Sequence, residues 1–383
     1  MDVELTETQA LVQRTAREFA TRVVAPRAAA IDATSEFPSE TLLGLADLGL
    51  LAINVPSELG GSSAGPIAYA LAIQEIAHAC ASTAVMMSVT NMVGETIARF
   101  GTEAQKHRFC PALATGKAVV GSFALSEPDV GSDAGALRTT ARRDGGDWVL
   151  DGSKQWITGG THAGVFVVWA RTAPPATGSR GISSFLVEGG TRGLKVGPPE
   201  DKMGIRASDT VPLEFDGCRL PADSLLGDEN AGFKVAMMAL DGGRIGIASQ
   251  ALGISRAALE ESVRYAKDRR TFGVPIAEHQ AIQWKLADMR TQIDAAYLLT
   301  MRAAWCKEKG KPFTREASMA KVFASETAVH TCNEAVQIHG GYGYTREFPA
   351  ERHLRDARVT TIYEGTSEIQ RMVVARGLLE GNL

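Results

Sequence analysis

The chain has 383 residues, 45% of them apolar and 22% charged, with a formal net charge of −4. That length exceeds what one core usually fills, so about two or three packed lobes are expected, and no uncharged apolar run is long enough to span a membrane. The small negative charge offers no general attraction to nucleic acid, so an anionic ligand would have to be met by local clusters of Arg and Lys.

Cys80, Cys110, Cys218, Cys306 and Cys332 lie far apart with no CxxC pair, which argues against a disulfide framework and against a thiolate metal site. The opening MDVELTETQA is acidic where a secretory signal would be basic and then apolar, so cytoplasmic residence is the expectation.

In chain order, Thr6-Glu7-Thr8-Gln9 has capping-box spacing, and Val12, Ala16, Phe19 and Val23 trace one helix face, kinked or ended near Pro26. Ser39 after Pro38 opens a second helix with Leu42, Leu45 and Ala46 on its face, and 66–87 reads as one buried helix, apolar on nearly all sides. Thr102-Glu103-Ala104-Gln105 repeats the capping box before a short helix that Pro111 disturbs. From Val119 to about Leu226 the pattern changes to β-branched and aromatic runs between Gly, Pro, Asp and Ser clusters. Strands are expected at 121–125, 137–142, 148–150, 165–170, 184–187 and 211–215. With no helical pattern between them, an antiparallel barrel or sandwich is favoured over a doubly wound sheet. Longer helices follow: Ile282, Leu286, Met289, Ile293, Tyr297 and Thr300 share a face of one ending near Gly310, and Thr314 begins another running toward Gly340-Gly341. The expected fold is a multidomain α+β chain: a helical domain at 1–118, a β domain at 119–228 and a four-helix bundle at 229–383.

The chain lacks a GxGxxG on a strand-to-helix turn, a Walker A sequence and an HExxH. Gly61-Ser62-Ser63-Ala64-Gly65 matches a hydrolase nucleophile elbow by letters, but no strand runs into it, and a surface loop is the expectation. In Thr361-Ile362-Tyr363-Glu364-Gly365-Thr366-Ser367-Glu368-Ile369, an apolar approach delivers a carboxylate beside a glycine, and Thr366 or Ser367 can cap a new helix. Glu364 then reads either as a general base with a raised pKa or as a charge complementing a helix N-terminus. Paired glycines in Leu240-Asp241-Gly242-Gly243-Arg244 imply close approach by a ligand or another helix. Arg244 there would bind an anion or, as the preferred reading, form an ion pair between helices. Taken singly, Trp156 and Phe272 read as core residues.

Six segments in order carry a resemblance covering nearly the whole chain: Phe123-Ala124-Leu125-Ser126-Glu127-Pro128 with Gly131-Ser132-Asp133; Lys154-Gln155-Trp156-Ile157-Thr158; Gly243-Arg244-Ile245-Gly246-Ile247-Ala248; Arg269 to Gly273; Gln337 to Gly341; and Tyr363-Glu364-Gly365-Thr366. The chain resembles the acyl-CoA dehydrogenase family, above all its short-chain, butyryl-CoA-like members. The resemblance implies FAD between the β domain and the C-terminal bundle, contacted by Phe123, Leu125, Ser126, Gly131, Ser132, Trp156, Ile157 and Thr158. It implies that Arg269, Thr271, Phe272 and Gln280, with Gln337, Ile338, His339, Gly340 and Gly341, hold the diphosphate and adenosine of a neighbouring subunit's FAD, and that Thr366, Ser367 and Glu368 complete the site. Such a reach between subunits implies a homotetramer.

On the substrate side the resemblance implies Ser132, Asp241, Gly242, Gly243, Arg244 and Gly365 near an acyl-CoA, with Glu364 taking the α-proton as the β-hydride leaves to the flavin. Electron-transferring flavoprotein is the implied acceptor. Isovaleryl-type members place the catalytic Glu just before the arginine, which is Gly243 here, and medium-chain members carry threonine there; the base is therefore expected at Glu364. His339 stands where leucine is common. Short straight-chain acyl groups fit the resemblance best, with branched short-chain and medium-chain groups left open; an acyl-CoA oxidase or flavin monooxygenase on the same fold, and a non-catalytic acyl-CoA-binding homologue, are the rival readings.

Overall fold

The structure, a computed structural model, describes residues 4–381, so the outermost residues of the first and last expected domains lie outside it. Helix α1 (Glu7–Phe19) starts at the expected capping box: the Thr6 hydroxyl accepts the Gln9 N–H at 3.3 Å, and the Gln9 side chain accepts the Thr6 N–H at 3.0 Å. The helical run does not end at Pro26. A π-turn, Ala20–Val24, leads into α2 (Ala25–Thr34), and Pro26 lies in the first turn of α2, where its missing N–H is tolerated. Helix α3 (Ser39–Asp47) follows Pro38.

The expected single helix at 66–87 is instead two, α4 (Gly65–Ala79) and α5 (Ala81–Phe100). Cys80 is extended between them, with φ −156° and ψ 113°. Its N–H still closes α4 onto Ile76 O at 2.9 Å, and its carbonyl already accepts Ala84 N–H at 3.1 Å, so the residue that turns the chain keeps both of its own backbone groups paired. Helix α6 (Glu103–Ala114) has its own capping box at Thr102 and carries Pro111 without breaking.

Eight strands make the next layer: β1 (Val120–Ala124), β2 (Thr140–Asp144), β3 (Asp147–Thr158), β4 (Ala163–Arg171), β5 (Ile182–Glu188), β6 (Leu194–Val196), β7 (Thr210–Leu220) and β8 (Leu225–Leu226). Their order is β6-β7-β3-β2-β4-β5-β8, with β1 added alongside β4. Most pairings are antiparallel, as the turn signals imply. Two are not: β1 runs parallel to β4, and Thr140 pairs in parallel with Arg171. The β2–β3 hairpin between β1 and β4 returns the chain to the same end, which a parallel neighbour requires. Expected strand 137–142 begins only at Thr140, because 134–136 form a 3₁₀ turn. Strand β3 is far longer than expected: polar residues at 151–155 hide the alternation, yet its pairing with β7 runs almost throughout.

Helix α7 (Gly232–Asp268) begins the last layer, followed by a small hairpin of β9 (Arg270–Thr271) and β10 (Val274–Pro275). Then come α8 (Gln280–Glu308), α9 (Thr314–His339), α10 (Ala350–Arg358) and α11 (Ser367–Leu379). Helices α7, α8 and α9 pack on one another, with α11 against α9 and α4 against α7. Gly253 lets α4 and α7 touch at the backbone: a Cβ there would stand 2.4 Å from the Gln74 carbonyl. One large apolar cluster joins α5, α7 and α9 to Trp169 of β4, whose indole N–H donates to Gly232 O at 2.7 Å, so sheet and bundle share a core. Among the described residues no helix is long and apolar enough to cross a membrane.

Candidate active site

A cavity of about 1730 Å³ opens where the sheet, α5, α7 and the 359–369 segment meet. Its position follows from the layers: strand ends and helix faces converge there without filling the space between them.

The sheet side is built by β1, the loop after it, and β3. Lys154 is fully buried, donates to Leu125 O at 3.0 Å and pairs with Glu127 at 2.9 Å. Burial pushes Lys154 down to about 8. Burial works against the Glu127 carboxylate as well, but Lys154, Thr139 and the Arg138 N–H outweigh it and hold the group below its ordinary value. Glu127 also accepts the backbone N–H groups of Arg138 and Thr139 at 2.6 and 2.9 Å, so one buried ion pair ties the whole loop to β3. Two residues beyond Lys154, a register shift between β3 and β7 puts Trp156 at φ +65° and leaves its indole 59% exposed on the cavity wall. A β-bulge re-aims a side chain in this way, and a bulky residue at positive φ is strained. The reading of Trp156 as core is thereby overturned.

On the opposite wall, Glu364 and Gly365 are both left-handed, at φ +51° and +89°. Thr366 then caps α11 by accepting the Ile369 N–H at 3.4 Å. Gln370 donates to the carbonyls of Glu364 and Gly365 at 3.1 and 2.9 Å, and the buried Lys321 donates to Gly365 O at 2.8 Å. The Glu364 residue borders the cavity, while its Oε2 is buried without a hydrogen-bond partner. Burial pushes this carboxyl up to about 7, against the pull of Lys321 and Arg244. Thr366 is the cap of α11, as the sequence implied, and Glu364 stands two residues before it.

Helix α7 passes behind that carboxyl. A Cβ on Gly243 would stand 2.0 Å from Glu364 Oε2 and 2.9 Å from Met92 Sδ, so the glycine makes room for the acid. Arg244 is buried and paired with Asp241 at 2.6 Å, the ion pair expected, though within one helix and not between two; Asp241 also accepts from Thr314 at 2.5 Å. Successive helical residues point about 100° apart, which is why this stretch splits between surroundings. Arg244 lines the cavity, Gly243 backs the carboxyl, and Gly242 faces Lys307.

Of the residues singled out in the sequence, Phe123, Leu125, Ser126, Gly131, Ser132, Trp156, Ile157, Thr158, Arg244, Glu364, Gly365 and Thr366 all line this one cavity. Asp241, Gly242 and Gly243 stand behind the wall; Ser367 and Glu368 lie in the first turn of α11. Arg269, Thr271, Phe272, Gln280, Gln337, Ile338, His339, Gly340 and Gly341 do not reach it. Phe272 sits at the tip of the β9–β10 hairpin, 97% exposed at φ +53°, so it is no core residue in this chain. His339 is buried, its Nδ1 2.7 Å from Ala335 O and its ring stacked on Tyr265, which is what it does in place of leucine. Ser63 of the elbow-like motif accepts the Ser57 N–H at 2.9 Å in a loop entered from a turn, not a strand.

Two site residues escaped the sequence reading. Lys321 lies on the stripe Ala317, Lys321, Ala324, Ala328 of α9, and a lysine inside an apolar stripe is the signal that points to it. Met92 gives no such signal, since methionine on a buried helix is ordinary core.

All three layers match known families: "Acyl-CoA dehydrogenase, N-terminal domain" at residues 6–117, "Acyl-CoA dehydrogenase, middle domain" at 122–218 and "Acyl-CoA dehydrogenase, C-terminal domain" at 230–379. The chain belongs to the acyl-CoA dehydrogenase family. Among its relatives in this family, the short-chain specific acyl-CoA dehydrogenase of Bos taurus mitochondria is 52% identical over 99% of this chain and 92% of its own. The butyryl-CoA dehydrogenase of Megasphaera elsdenii superimposes with a TM-score of 0.96 at 43% identity, covering 99% of this chain and all of its own. A chain from a structure of the electron transferring flavoprotein of Acidaminococcus fermentans superimposes with a TM-score of 0.97, also at 43% identity, over 99% of this chain and all of its own. The acyl-CoA dehydrogenase fold thus spans the described residues of this chain from end to end.

Proposed function

We propose that the chain oxidises short-chain acyl-CoA thioesters to trans-2-enoyl thioesters, with FAD as cofactor and Glu364 as the base. One observation carries the reading: a carboxyl whose Oε2 is buried without a partner, pushed up to about 7, at the wall of a large cavity. An acid so placed is poised to accept a proton near neutral pH.

The residues fit a flavin. The exposed face of Trp156 offers an aromatic shelf, beside Thr158 and Ser126, and the cavity is far larger than a short acyl group needs. FAD bound there supplies the acceptor for the β-hydride. Glu364 Oε2 takes the α-proton, and the Glu364 backbone N–H, fixed by its left-handed φ, donates to the thioester carbonyl. Ser132 and Gly365 flank the acyl-CoA, Arg244 lines its path with Asp241 orienting it, and Gly242 and Gly243 keep α7 clear of other side chains.

Arg269, Thr271, Phe272, Gln280 and 337–341 serve FAD at the contact with a neighbouring copy in a homotetramer, and Thr366, Ser367 and Glu368 complete the site at the start of α11. The support is the projecting hairpin with its exposed Phe272 and an arginine suited to a diphosphate. Electron-transferring flavoprotein reoxidises the enzyme, in the cytoplasm.

The deciding variant is Glu364→Gln, which keeps shape and removes basicity. It should retain flavin and bind enoyl-CoA while losing at least about 100-fold in turnover. Wild-type turnover in that variant would end the assignment.

A further inference from the structure

The structure assigns to Met92 the limit on acyl-chain length. This inference rests on the thioester reading and goes beyond it by naming the side chain that ends the acyl channel.

A second, very small cavity of about 20 Å³ lies behind the main one, and Met92 is the single residue that lines both. The side chain is 6% exposed, on the face of α5 that meets Gly243 of α7, beside the Glu364 carboxyl. On the near side α5 contributes Val85 and Val89 and α7 contributes Leu240 to an apolar arm of the main cavity. On the far side the small cavity is bounded by Tyr69, Gly242 and the ion pair between Lys307 and Glu95, 2.6 Å apart. A straight alkyl chain that carries its α-carbon to Glu364 and continues between α5 and α7 therefore meets the thioether end-on. The wall is one flexible side chain with a void of about 20 Å³ beyond it, so its size can change without moving a helix.

On α7 the residue that faces Met92 at this end of the channel is a glycine. Gly243 has no side chain to close it, and a Cβ on Gly242 would stand 3.0 Å from Lys307 Nζ, toward the rear cavity. Trimming Met92 joins the two spaces, and enlarging it shortens the near arm. In an apolar pocket one methylene changes kcat/KM by about 10- to 200-fold.

The test measures kcat/KM of the holoenzyme for propionyl-, butyryl-, hexanoyl- and octanoyl-CoA, with calorimetric affinities for the corresponding 2-enoyl-CoA products. Met92→Ala should raise the hexanoyl-to-butyryl ratio at least about 10-fold, in both kcat/KM and affinity. Met92→Phe should shift preference toward propionyl-CoA and remains informative if the alanine variant folds poorly. Ratios between chain lengths cancel any uniform effect on the base or on flavin content. Wild-type length profiles in the folded variants overturn the role of Met92. A wild-type protein that oxidises no thioester of any length overturns instead the reading on which this one stands.

Discussion

Lys321 and Glu364 are each buried away from their ordinary protonation, the lysine pushed down to about 8 and the carboxyl up to about 7, both by desolvation first. Each also steadies the other's charged form. Proton abstraction needs the carboxylate, so kcat/KM should climb as pH rises through about 7 and fall away below it. Removing the cation raises the carboxyl further. Lys321→Met should therefore move that acid limb upward by about one pH unit, while Lys321→Arg restores it in part. A limb that stays in place would reduce Lys321 to a mere prop for the Gly365 carbonyl. The acid itself was visible in the sequence, as a carboxylate beside a glycine at a helix start. Its neighbours were not. Gly243 and Lys321 come from other helices, and only the packing of α7 and α9 brings them to it.

Among the elements, β3 shows how a strand can be read too short. The tract Asp151-Gly152-Ser153-Lys154-Gln155 looks like a turn by composition, yet the ladder to β7 carries it, and Lys154 points into the protein to meet Glu127. With the partners 0% and 5% exposed, loss of one leaves a buried, uncompensated charge, which costs about 3–5 kcal/mol. Lys154→Met should lower the urea-unfolding free energy by that amount and weaken flavin retention, because the 125–139 loop loses its tie. Unchanged stability would show that Glu127 is satisfied by its two backbone donors alone. The break at Cys80 was equally hidden: both flanks are helix-forming and apolar, and no Gly or Pro marks the turn. The capping boxes at Thr6 and Thr102 were legible because their signal lies within four consecutive residues.

At the scale of the molecule, eleven of the residues singled out for cofactor binding do not line the cavity, and Phe272 at the hairpin tip is exposed. Trp284 and Tyr344 are also exposed, at 64% and 85%. A contact between copies, as proposed above, would cover such side chains. Sedimentation should detect an assembly of four copies, and Arg269→Ala should lower the ratio of flavin to polypeptide although Arg269 touches no part of its own cavity. A monomer carrying a full complement of flavin would refute this arrangement. The helix–sheet–helix order, the two capping boxes and the turn that presents Glu364 were determined by the sequence itself, since propensity, periodicity and capping act over a few neighbouring residues. The outward throw of Trp156, the space Gly243 leaves for an acid, the lysine beneath that acid and the methionine closing the channel were decided only by the tertiary structure. Each depends on segments far apart in the chain, and a local pattern carries no record of which surfaces will meet.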